Sequence, residues 1–105
     1  MIELAWKNCT ITIATSATQS AEVAFDRAVE RLSVYVPTID SATLTLYAAE
    51  TTGGTFYPVG NSQTIAAGTG GFFDSWKANG LQFFKIYSSA DQTENRTFRV
   101  RGVRG

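Results

Sequence analysis

Histidine is absent from the 105 residues. With it go the commonest general base, the commonest metal ligand and the imidazole partner of a serine or cysteine nucleophile. Cysteine occurs once, at Cys9, which excludes an internal disulfide and a cysteine-rich zinc site. Charged residues make up only 17% of the chain, and nine basic side chains cancel nine acidic ones. The basic excess of a typical nucleic-acid binder is therefore missing. There is no apolar run long enough to cross a membrane as a helix, and the first residues lack the charged and apolar regions of a secretion signal. The expectation is a chain made in the cytoplasm, with no nucleic-acid or membrane partner, no bound metal, no cofactor and no enzymatic activity.

The acidic residues do not reverse that expectation. They fall mostly in turns, with no spacing that sets two of them opposite each other as a glycosidase would need. Asp91 and Glu94 could lend oxygens to a calcium ion, but the helix–loop–helix ligand spacing is missing. Gly68-Thr69-Gly70-Gly71 lacks the lysine of a phosphate loop and reads as a turn. Arg99 and Arg101, two apart, share one face of a strand, which reads as a solvated face pairing with nearby carboxylates.

What is present is alternation with period two. Cys9, Ile11 and Ile13 fall on one face of a strand over 9–15. Val23 and Phe25 face inward from 21–25, as do Leu32, Val34 and Val36 from 31–36. Leu44 and Leu46 do so from 43–49, and Phe98 and Val100 from 96–103. Residues 26–31 are the most helix-like stretch and suggest a connector of about one turn. Glycines at 53–54 mark a hairpin, Pro58 marks its returning strand as a sheet edge, and Asn79-Gly80 marks a tight turn between strands 71–76 and 81–88. Roughly eight or nine short strands, with turn signals every ten residues or so, predict an all-β, single-domain antiparallel β-sandwich of jelly-roll or Greek-key type. The domain spans 1–105, with 1–8 as an N-terminal arm.

Aromatic residues are plentiful at 12%, and several fall on faces opposite the inward aliphatics. Tyr35, Tyr47, Phe83 and Tyr87 are placed outward by alternation, while Trp6 and Trp76 lie outside it. These six are the candidate interface residues, because aromatic side chains bury much area with few rotamers to freeze. Exposed aromatics would equally suit stacking on a sugar.

The stretch Arg31-Leu-Ser-Val-Tyr-Val-Pro-Thr-Ile-Asp-Ser-Ala-Thr-Leu-Thr-Leu-Tyr-Ala-Ala-Glu50, followed by Gly53-Gly-Thr-Phe-Tyr-Pro-Val59, resembles small structural proteins of tailed bacteriophages. Gly71-Phe-Phe, Phe84-Lys-Ile and Arg96-Thr-Phe extend the resemblance over about residues 31–103. It implies a virion-located β-sandwich, with capsid decoration as the leading role. Such a protein would form a homo-oligomer such as a trimer and bind the major capsid protein. A carbohydrate-binding module and a tail, fibre or connector component are the alternatives.

Overall fold

The computed structural model describes residues 2–60 and 63–104. Eight strands run in chain order: β1 (Ile2–Glu3), β2 (Lys7–Ile11), β3 (Val23–Val36), β4 (Ala42–Ala49), β5 (Tyr57–Pro58), β6 (Thr64–Gly68), β7 (Phe72–Ser88) and β8 (Arg96–Arg104). They form one antiparallel hydrogen-bonded sheet in the order β1-β8-β3-β7-β4-β5, with β2 also on β8 and β6 also on β4. Most neighbours are distant in sequence, so the connections cross between layers as the predicted sandwich requires.

Two long strands make one sheet serve as two layers. β3 and β7 pair along most of their length, from Val23↔Phe84 to Val36↔Phe72. The register slips between Ala24 and Val29 and again between Val29 and Arg31. Unequal residue counts on paired strands are bulges, which bend a strand and sharpen its twist. The β7 side of the bend contains Asn79 and Gly80, at φ 56° and 74°, the left-handed region that glycine and asparagine tolerate best. Beyond the bend, β8 extends the sheet from the far half of β3, and β4 extends it from the far half of β7. β2 then closes the ladder: it pairs with β8, while Ile11 bridges to Ser20, just ahead of β3.

Three expectations are corrected here. Residues 26–31 are strand, not a helical turn, because so short a helix gains little alone, whereas Val29 in the strand is fully buried. Asn79-Gly80 bends a continuous strand and does not reverse the chain. Strand β2 ends at Ile11, and Ile13 lies in a turn, 43% exposed. Within 1–8, Ile2 and Glu3 pair with Arg104 and Val103, and Leu4 N–H donates to Gly102 O at 2.9 Å. By contrast the hairpin at 53–54 and the edge position of Pro58 stand as expected, with β5 at the end of the sheet order.

The folded sheet encloses one core. Trp76, Phe84, Phe98, Ile11, Leu32, Leu44, Leu46 and Ile86 are its largest fully buried side chains, each contributing about 1.5–3 kcal/mol by leaving water. Cys9 is also fully buried, with its Sγ 3.1 Å from Ser20 Oγ. Ser20 Oγ in turn accepts the Ile86 N–H at 2.8 Å. At one rim, loops 37–41 and 89–95 are latched. Asp40 accepts the Thr93 N–H and hydroxyl and faces Arg96 at 3.5 Å, while the buried Gln92 accepts the Asp40 N–H. The Thr93 bonds, more than Arg96, hold the Asp40 carboxyl below its ordinary value. At another rim, the Gln63 side chain imitates a strand neighbour. Its amide donates to Lys77 O at 2.8 Å and accepts the Lys77 N–H at 3.0 Å.

Two predictions follow from this packing. A Cβ at Gly102 would overlap Val29 Cγ1, so Gly102→Ala should lower the unfolding free energy by about 1–3 kcal/mol. Denaturant titration should show this loss, and a smaller one in a Val29→Ala background. Burial also pushes the Cys9 thiol up to about 11 from 9.0. An unfolded chain ionises this group first, so the thiol costs no stability below pH 9 and destabilises the fold progressively from there to about 11. Stability measured across that window should fall further in wild type than in Cys9→Ala, by an amount on the order of 1–3 kcal/mol.

Candidate interaction face

The outer face of the β2–β8–β3–β7 layer is set by register. Tyr35 pairs with Arg99 on one side and Phe73 on the other; Ser33 pairs with Arg101 and Ser75; Arg31 pairs with Val103 and Lys77. Directly opposed residues share a face, so all of these point away from the core. Trp6 joins them from the break between β1 and β2. Its ring lies 6.2 Å from Phe73, and Phe73 lies 5.0 Å from Tyr35, both pairs tilted as aromatic quadrupoles prefer. The Arg101 guanidinium sits over the Trp6 ring at 4.8 Å. Trp6, Tyr35, Phe73 and Arg99 line a shallow groove of about 380 Å³. Phe73 is 68% exposed, well beyond what its packing against Trp6 and Tyr35 covers.

Arg31, Lys77, Arg99 and Arg101 lie on this face, and Glu3 of β1 joins its margin through its pairing with Val103. Arg31 and Lys77 sit directly opposite each other, an arrangement that like charges disfavour. The Arg31 guanidinium is turned onto the Ser75 hydroxyl at 3.2 Å.

The six predicted interface residues separate into three groups. Trp6 and Tyr35 meet on this face. Tyr47 and Tyr87 lie on the other half of the sheet and stack on each other, with centroids 3.7 Å apart and planes 11° from parallel. Each ring therefore covers a face of the other. Desolvation, then the neighbouring Tyr47, raises the Tyr87 hydroxyl above its ordinary value. Phe83 is half-buried beside them, opposite Ala49. Trp76 is corrected: it is 2% exposed and lies in the core opposite Leu32, so it is unavailable at a surface.

Phe73 is the residue that the sequence reading missed. Its signal was there: once Trp76 is placed inward, alternation turns 73, 75 and 77 outward. Arg99 and Arg101 do share a face as expected, beside the aromatic rings. Arg96, elsewhere, faces Asp40 at 3.5 Å and Glu94 at 3.8 Å.

A second groove lies between the turn at 12–16 and the hairpin at 53–56, lined by Thr10, Thr12, Glu22, Phe56 and Lys85. Its polar groups are already engaged. Glu22 accepts the Thr52 hydroxyl at 2.6 Å and the Gly53 N–H at 2.8 Å, and the Lys85 ammonium rests over the Phe56 ring at 4.7 Å. Among the described residues, no three acidic or thiol side chains converge as metal ligands would.

No protein-family model matches the chain, and no curated protein matches it in sequence. Among solved structures, it is similar to the SPBc2 prophage-derived protein YomS, with 14% identity, a TM-score of 0.58 and 97% of each chain covered. At that identity the likeness is one of fold, and it extends over nearly the whole of both molecules.

Proposed function

We propose that this chain is a non-enzymatic bacteriophage protein that works through protein–protein contacts, as a structural component of the virion. The single observation that carries this reading is the Trp6–Tyr35–Phe73 face with its flanking arginines. Tryptophan, tyrosine, phenylalanine and arginine are the side chains enriched in interface cores, and Phe73 is left 68% exposed by the chain's own packing. The phage origin is supported by the fold shared with a prophage-derived protein along 97% of each chain, together with the phage-like stretches between residues 31 and 103. Within the virion, capsid decoration fits best. A small neutral sandwich with one adhesive face can cement a lattice of larger subunits, with the major capsid protein as its partner. Tail or connector placement uses the same face. Sugar stacking is less well served, because the Tyr47 and Tyr87 rings are spent on each other.

The test is to purify virions and ask whether the chain is in them. Quantitative mass spectrometry should find it at a fixed ratio to the major capsid protein, and antibody labelling in the electron microscope should place it on the head. Phe73→Ser should reduce its occupancy at least about tenfold, as the loss of a central aromatic anchor does, while leaving the thermal midpoint near wild type, since Phe73 is a surface residue. Absence from purified virions would overturn the reading, and labelling confined to the tail would replace decoration with a tail role.

A further inference from the structure

We infer that the stacked pair Tyr47 and Tyr87 is a site of oxidative cross-linking, at which a peroxidase-type one-electron oxidant joins the two rings and staples β4 to β7. The inference is independent of the exposed aromatic face, to which neither ring belongs. Thr45 pairs with Tyr87 and Tyr47 with Lys85. The two tyrosines are therefore diagonal neighbours on the same side of adjacent strands, a spacing that aromatic side chains span. Their rings lie face to face, with centroids 3.7 Å apart and planes 11° from parallel. The pairs Trp6–Phe73, Phe25–Phe84 and Tyr35–Phe73 are instead tilted or edge-on. Parallel overlap is the approach that phenoxyl coupling requires. Removing one electron and the hydroxyl proton from each ring leaves a phenoxyl radical. Its unpaired electron occupies orbitals perpendicular to the ring, partly on the carbons ortho to the oxygen. Two such carbons meeting face to face form one C–C bond. Each then gives up its hydrogen as a proton while the oxygen of the same ring regains one, which restores both phenols. The two electrons and two protons released in all reduce one hydrogen peroxide to two waters. Both rings are half-buried, so part of each meets solvent, while their facing surfaces leave no room for water between them. The other two tyrosines lack such a partner. Tyr35 faces Phe73, which has no phenol, and Tyr57 is 67% exposed and outside any ring pair among the described residues.

Dilute full-length protein can be treated with a peroxidase and hydrogen peroxide and then separated by size. The monomer should acquire the blue fluorescence of coupled tyrosine. Peptide mass spectrometry should find the segments holding Tyr47 and Tyr87 joined, two hydrogens short of their sum. Coupling within the stack should exceed coupling between molecules at least about tenfold, because the partners are already held in place. Tyr47→Phe and Tyr87→Phe keep the ring and remove the phenol, and each should abolish the monomer product. Tyr35→Phe and Tyr57→Phe should leave it. The new bond closes a loop of about forty residues, so the cross-linked monomer should show an unfolding constant lowered at least about tenfold. Fluorescence confined to covalent dimers would overturn the inference, as would a monomer product that survives Tyr47→Phe or maps to another pair. Absence of product under conditions that couple free tyrosine would also overturn it. So would a cross-linked monomer no more stable than the untreated chain, since the rings would then have left the native stack to join. Virion incorporation is read separately, from the particles themselves, and none of these outcomes bears on it.

Discussion

The bend shared by β3 and β7 is the constraint on which the rest depends. Both strands carry extra residues, and both take them near the same point along the pair, around Val29 on one strand and Asn79–Gly80 on the other. A flat ladder of this length could not enclose anything, because side chains on one side of it would stay in water. Bending the two strands together turns a single sheet back over itself. Leu32 and Trp76 then contribute to the same core as Leu44, Phe84 and Ile86. The glycine at 102 fits the same account: β8 must approach the inside of the bend, where Val29 already occupies the space a side chain would need.

The bend also decides which residues are outward, and so it makes the exposed aromatic face. Beyond it, odd-numbered residues of β3 and β7 turn to solvent in register with those of β8, which brings Tyr35, Phe73 and Arg99 side by side from three distant stretches of chain. Trp6 reaches them because residues 2–11 are strapped along β8. Packing, face and charge pattern are consequences of one backbone event.

Much of this was legible in the sequence where inference stays local. Period-two alternation identified the inward sets Leu32/Val34/Val36, Leu44/Leu46 and Phe98/Val100, each of which is buried, and the absence of helix-forming runs made the chain all-β. The failures share a physical cause. Asp26–Arg31 and Asn79–Gly80 carry the local chemistry of a helical turn and of a reversal, and nothing nearby in sequence reveals that they belong to one ladder in which Val29 pairs with Leu81 and Arg31 with Lys77. Their conformations are settled by long-range pairing, which overrides a weak local preference. Trp76 was misplaced for the same reason, because its strand was read as ending at a turn that does not exist. The site was half visible: Trp6 and Tyr35 stood out by type, whereas Phe73 could be oriented only after Trp76 was known to point inward.

Gln63 deserves a last word for what it denies to others. Where β7 runs past the bend, the N–H and C=O of Lys77 face away from β3 and would otherwise lie open along the strand. The amide of Gln63 occupies both. An unoccupied strand edge is a template on which any extended backbone can add itself, and it is the usual start of edge-to-edge aggregation. One side chain thus makes promiscuous strand addition unprofitable at that point, and it does so beside a face rich in exposed aromatics. The exposed aromatic face therefore borders a strand whose backbone groups at that point have already been answered from within.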